Sequence, residues 1–165
     1  MVQESIFGAQ RDLFYMDNAL KQAQYAAEAQ EIPIGAVIIN KNGDCIAQAY
    51  NKTEQNHSQT AHAELEALRA AGNILKDWRL TDCWLYVTLE PCIMCMGAIY
   101  LSRLAGIVYG ASSPLFGSQL DNAALLPVYK VDTLSIITGV RAKESELILK
   151  SFFRTKRSSN GNYQQ

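Results

Sequence analysis

Arg79 to Gly110 reads RLTDCWLYVTLEPCIMCMGAIYLSRLAGIVYG, and its pattern changes twice. Cys83 to Thr88 is a short apolar run with aromatic and β-branched side chains, which predicts a strand. Cys92 to Ser102 predicts a short helix entered at Pro91, whose missing N–H costs nothing before a first turn. Leu104 to Gly110 returns to the strand pattern. The alternation continues on both sides. Upstream, Leu13, Met16, Leu20, Ala23 and Ala27 recur at helical spacing and predict an amphipathic helix over residues 12 to 29. Ile34 to Ile39 predicts a buried strand, Asn40-Lys41-Asn42-Gly43 a turn, and residues 44 to 50 a second strand. Residues 61 to 71 predict a helix opening at His62, with Gly72 placed to end it. Downstream, Ser112 to Lys130 reads as loop with a helical turn near Gln119 to Leu125. Thr133 to Thr138 reads as a fifth strand and Ala142 to Arg157 as a closing helix. The whole predicts an α/β chain whose five-stranded sheet is layered between helices.

Two short motifs carry the chemistry: His62-Ala63-Glu64 at the head of one helix, and Pro91-Cys92-Ile93-Met94-Cys95 at the head of the next. One imidazole and two thiolates suit a tetrahedral zinc whose fourth position stays open to water, as in catalytic rather than structural sites. Two deprotonated cysteines nearly cancel the charge of the ion, and the centre still polarises a water molecule. Glu64 is then free of ligand duty and becomes the candidate general acid/base. Cys92 and Cys95 share one face of a helix, and a helix N-terminus favours thiolates through its exposed N–H groups. This pair of motifs resembles the signature of zinc nucleobase deaminases.

Each residue also has a plainer reading. Cys-x-x-Cys serves redox pairs and halves of structural zinc knuckles, although this chain has no second pair to complete a knuckle. His62 alone would be an ordinary helix-start residue and Glu64 an ordinary first-turn carboxylate. The two stand two positions apart and do not share a face in an ideal helix, so spacing leaves their convergence open. Thr60 is a candidate cap, but a capping box would need an acid where Ala63 stands. Cys45 and Cys83 read as small buried hydrophobes, and His57 as a loop residue.

Composition sets the frame. The chain has 165 residues, 48% hydrophobic and 19% charged, enough for a single domain over residues 1 to 157. Residues 158 to 165, SSNGNYQQ, read as a frayed tail. Four cysteines, two of them in the proposed site, make no disulfide framework and fit a reducing compartment. The first twenty residues pair Arg11 with the acids Glu4, Asp12 and Asp17, unlike a targeting signal. No apolar run is of membrane-spanning length, so a cytoplasmic protein is expected. A net charge of -1 and a pI near 6.1 leave RNA contact to a local patch. The cluster Lys150, Arg154, Lys156 and Arg157 beside Phe152 and Phe153 is the candidate for phosphates. The alternative is that both rings pack the last helix and the basic end complements its dipole.

Taken together, residues 79 to 110, Glu31-Ile32-Pro33-Ile34-Gly35-Ala36-Val37 and Thr60-Ala61-His62-Ala63-Glu64 are similar to bacterial tRNA-specific adenosine deaminases across about residues 12 to 157. The resemblance implies a homodimer with a cytidine-deaminase-like three-layer α/β/α sandwich and a mixed sheet. The implied reaction converts adenosine to inosine at the first anticodon position of tRNA. It implies one zinc per subunit on His62, Cys92 and Cys95, with Glu64 as general acid/base. It also implies that Asn51 hydrogen-bonds the target base, that Ile32 forms an apolar wall, and that Ala63 and Pro91 join them around the substrate, with Leu89, Glu90 and Pro91 forming a turn at the site. The chain departs from the family after Gly110. Ser113-Pro114-Leu115 stands where relatives carry an acid, a spacer and a lysine, and the Asn-His pair expected near Val128-Tyr129-Lys130 is missing. Two other functions therefore stay open: deamination of a free base or nucleoside of the guanine or cytosine type, and a non-catalytic zinc-bearing subunit that assists RNA binding.

Overall fold

The structure, a computed structural model, describes residues 4–118 and 134–160. Helix α1 (Ala9–Glu28) is followed by the hairpin β1 (Gly35–Ile39) and β2 (Cys45–Tyr50), then α2 (Ala63–Leu75), β3 (Trp84–Leu89), α3 (Ile93–Leu101), β4 (Gly106–Ala111), β5 (Ser135–Thr138) and α4 (Ala142–Asn160). The strands form one sheet in the order β2-β1-β3-β4-β5. β1 runs antiparallel to both β2 and β3, whereas β3, β4 and β5 are parallel, which makes the sheet mixed. The hairpin turn is closed by Asn40, whose Oδ1 accepts from the N–H groups of Asn42 and Asp44, with Gly43 at φ 88°.

Strand alternation sorts the core into two layers. Ala36, Ile38, Leu85, Val87, Ile107 and Tyr109 face α2 and α3, and pack on Ala63, Ala67, Leu68, Met96 and Ile99. Val37, Ile39, Trp84, Tyr86, Val108 and Ile137 face the other way, onto Tyr15, Met16 and Ala19 of α1. α4 packs on this second side against α1 and β4, which completes the three layers. Gly35 lets α1 approach closely, because a Cβ there would collide with the backbone of Ala19 and Ala23.

Several expectations shift. The buried face of α1 is Asp12, Tyr15, Met16, Ala19, Ala23 and Ala26, so Leu13 of the expected stripe is 40% exposed. Met16 and Ala23 of that stripe are buried as expected, and Ala19 joins Ala23 against Gly35, where only small side chains fit. Asp12 is tolerated on the buried face because the Ser5 N–H and hydroxyl and the Tyr86 hydroxyl all donate to its carboxylate. Gly72 does not end α2, which runs on until Lys76 takes the left-handed conformation at φ 55° and donates its N–H to the Gly72 carbonyl. Thr60 is not the cap of α2, since His62 holds that position. Cys83 is buried as expected, but Cys45 is exposed, because it opens β2 beside the register shift at Ile38/Ile39. α4 continues to Asn160, three residues beyond the expected end at Arg157. The expected turn near Gln119 to Leu125 and residues 161–165 lie outside the described residues, as do residues 128 to 130. No helix among the described residues is long and apolar enough to cross a membrane.

Candidate active site

Two helix N-termini meet at the site. His62 is the N-cap of α2, with φ -74° and ψ 149°, and Cys92 is the N-cap of α3. An N-cap residue lies outside the helical spiral, so the His62 ring escapes the spacing rule that would separate it from Glu64. Cys95 follows one turn into α3 and is buried. His62 Nδ1 lies 3.4 Å from Cys95 Sγ and 3.8 Å from Cys92 Sγ. All three ligand atoms fall within 4.8 Å of one another.

The two nitrogen-to-sulfur distances match the edges of a metal tetrahedron. Zinc bonds of about 2.0–2.1 Å to nitrogen and 2.3 Å to sulfur give nitrogen-to-sulfur edges of about 3.6 Å. The Cys92 thiol is pushed down to about 4, first by the hydrogen bond from the Cys95 thiol and also by His62. Cys95 is pushed the other way, by its neighbour Cys92 and by burial. His62 is raised, chiefly by its hydrogen bond with Cys92. An imidazole and two thiols gathered in this way release protons when they bind a divalent cation. The His62, Cys92 and Cys95 group suits one zinc ion.

Glu64 stands in the first turn of α2, 4% exposed. Burial is the main cause that lifts its carboxyl above the ordinary carboxylate range. It opens, with His62 and Cys92, onto a cavity of about 500 Å³ that also meets Ile32, Asn51 and Glu90. That volume is in the range of small-ligand sites. Ala63 and Pro91 are buried beside the site and do not line this cavity. The Pro91 carbonyl instead accepts from the N–H of Ser118.

The segment 112–118 forms one wall. The Ser113 N–H donates to Glu90 at 3.0 Å, and Gly117 bridges to Cys92. A side chain at Gly117 would collide with the Glu90 carboxylate, so the glycine lets this wall close on the ligand turn. The rim is apolar: Leu115 is 83% and Phe116 76% exposed, and Phe153 of α4 lines the same cavity.

The basic cluster divides. Lys150 and Arg157 stand three before and four after Phe153 and are its helix neighbours, with Arg154 four after Lys150, whereas Lys156 lies 5.5 Å from the Phe152 ring and lines a groove with Gln24 of α1 and with Gln30. Phe152 is half-buried and Phe153 reaches the cavity. Lys150 pairs with Glu146 at 2.8 Å, both exposed. His57 occupies an exposed turn at φ 48°. Sequence reading missed Thr53 and the role of Glu31, which is 0% exposed although ionisable. An acid directly before the apolar run Ile32 to Ile39 was the available signal.

The chain matches the family model for the cytidine and deoxycytidylate deaminase zinc-binding region over residues 9–111. A tRNA-specific adenosine deaminase of Bacillus subtilis is 40% identical over 148 residues, 89% of this chain and 91% of that protein. A tRNA(Ile)-lysidine synthase of Deinococcus radiodurans is 42% identical over 138 residues, 84% of this chain, but the chain spans only 24% of its length. A solved structure from work on A-to-I editing by tRNA:A34 deaminases at the wobble position of transfer RNA superposes with TM-score 0.74 at 36% identity, covering 82% of this chain and 99% of that one. The X-ray structure of guanine deaminase from Bacillus subtilis matches with TM-score 0.57 at 39% identity, over 60% of this chain and 63% of that one. With that match over residues 9–111, and with His62, Cys92 and Cys95 gathered as a group that could hold the metal, the chain belongs to the zinc-binding cytidine and deoxycytidylate deaminase family.

Proposed function

We propose that this protein is a hydrolytic deaminase that converts adenosine to inosine at the first anticodon position of tRNA. The observation that carries the chemistry is Glu64, a buried carboxylate with a raised pKa beside His62 and Cys95, lining the cavity. Zinc held by His62, Cys92 and Cys95 would supply a Lewis acid that polarises water. Glu64 takes a proton from the attacking water and delivers it to the ring nitrogen beside the amino-bearing carbon. It then carries the remaining water proton from the new hydroxyl to the departing amino group as the carbonyl forms, so that water and adenosine yield inosine and ammonia. Asn51 and Ile32 hold the base, with Ala63 and Pro91 supporting the backbone around it. Lys150, Arg154 and Arg157 meet backbone phosphates near Phe153, and Lys156 contributes charge from the adjacent groove. An anticodon loop suits this cavity because its bases are unpaired and reach it without breaking a duplex.

The substrate reading draws on the tRNA-specific relatives and on the coverage of nearly the whole Bacillus subtilis protein. Two features favour a second reading, deamination of a free base: the apolar rim Leu115 and Phe116, and the likeness to a guanine deaminase. The test incubates zinc-loaded protein with an anticodon stem-loop bearing a first-position adenosine, and with free adenosine, cytosine and guanine in parallel, reading products by mass. Inosine in the RNA alone is the expected result. Turnover of a free base without RNA turnover would move the protein to nucleobase metabolism.

A cytoplasmic homodimer belongs to the same proposal. Exposed apolar side chains on α2 and α3, among them Ile74, Leu75, Met94 and Leu101, support the dimer. Light scattering should report about twice the 18.3 kDa chain mass, and an 18.3 kDa species alone would remove it.

A further inference from the structure

Glu31 follows α1 and Gln30, which sits at φ 64°, and its backbone N–H donates to the Ala26 carbonyl at 2.9 Å. Its carboxylate is fully buried, a placement that needs compensating hydrogen bonds. Four donors converge on it. Oε1 accepts from the backbone N–H of Gln55 at 2.7 Å, and Oε2 from the Glu54 N–H at 3.2 Å, the Thr53 hydroxyl at 3.3 Å and Asn51 Nδ2 at 3.4 Å. Asn51 Nδ2 donates also to Thr53 Oγ1, at 3.1 Å.

This arrangement fixes a chemical direction. An ionised carboxylate only accepts, so the nitrogen end of the Asn51 carboxamide must face Glu31. With one amide hydrogen on Glu31 and the other on Thr53, the nitrogen is fully committed, and Oδ1 is the end left for the cavity that Asn51 lines. Closing the loop does not itself require a buried acid. The same segment has its own backbone turns, Asn56 N–H to Lys52 O at 2.9 Å and Ser58 N–H to Thr53 O at 3.1 Å. What the carboxylate adds is the orientation of one amide.

We propose that Glu31 is a positioning residue for substrate recognition: through Thr53 and the 53–55 backbone it locks Asn51 in the orientation that presents Oδ1 to the base. The proposal rests on the reading of Asn51 as a contact to the base. Its consequence is energetic coupling between two residues of which only one touches substrate.

The test is a double-mutant cycle on zinc-loaded protein, with wild type, Glu31→Gln, Asn51→Ala and the double variant assayed for kcat and KM, and zinc content and melting temperature measured alongside. Glu31→Gln should lose about tenfold or more in kcat/KM while keeping one zinc per chain, and the double variant should be no worse than Asn51→Ala alone. A merely structural Glu31 would lower the melting temperature and give losses that multiply in the double variant. That result, or wild-type kcat/KM in either single variant, would overturn the proposal. If Glu31→Gln fails to fold, Thr53→Val removes the bridging hydroxyl at nearly constant shape and enters the same cycle with the same two outcomes. The wild-type comparison of stem-loop with free bases is made first, and the cycle is run on whichever turns over. A wrong substrate is thereby told apart from a wrong role for Glu31.

Discussion

His62 Nδ1 and Cys95 Sγ lie 3.4 Å apart although 33 positions separate them in the chain. The contact exists because the starts of α2 and α3 are brought to the same end of the sheet, with Cys92 completing the group. Removing one of three ligands should cost the site its metal rather than weaken it slightly. Cys92→Ala is expected to retain below about a tenth of an equivalent of zinc by elemental analysis, and stoichiometric zinc would reject this ligand set.

Glu64 is buried beside the ligands, and its role is separable from theirs. Glu64→Gln keeps shape and hydrogen-bonding capacity but cannot carry the proton. Zinc content should be unchanged while kcat falls by roughly 10²–10⁴. Turnover at the wild-type rate in a zinc-replete variant would sink the acid/base assignment.

Tyr86 ties the N-terminal segment to the sheet. Its hydroxyl donates to Asp12 at 2.6 Å and meets Ser5 Oγ at 3.1 Å, and both burial and the Asp12 carboxylate raise its pKa. Tyr86→Phe removes one donor from a buried carboxylate, which should lower stability by about 1.5–3 kcal/mol in urea unfolding. A change within experimental error would show that Ser5 satisfies Asp12 alone.

Gly35 is where α1 meets β1. Gly35→Ala places a methyl group against the backbone of Ala19 and Ala23, which cannot rotate away as a side chain would. The expected cost is about 1–3 kcal/mol in unfolding free energy or more, with zinc binding retained in the folded fraction. An unchanged urea midpoint would mean that α1 shifts freely over the sheet.

Much of the architecture is legible in the linear pattern. Strands β1 to β4 fall where short apolar runs end in turn residues, and the hairpin turn is legible in Asn40 to Gly43, because these signals are local. The face of α1 is less legible. Met16 and Ala23 are legible in the stripe, but Leu13 fits it as well as Tyr15 does, and only the close approach permitted by Gly35 adds Ala19 to the contact. The same limit applies to Cys45, an apolar-looking residue that the strand's start leaves exposed.

The motifs His62-Ala63-Glu64 and Pro91-Cys92-Ile93-Met94-Cys95 determine by themselves the kind of chemistry available, because ligand type and spacing limit which ion and which proton carrier can act. Their convergence was decided by tertiary structure. His62 reaches the sulfurs because it caps α2 instead of belonging to its spiral, and no spacing rule within one element contains that. The tertiary structure also made partners of Glu31 and Asn51, twenty positions apart. It placed Glu90 beneath the 112–118 wall as well. A buried carboxylate is recognisable in sequence only as an acid out of place. Which donors gather on it depends on loops that only the tertiary fold brings together.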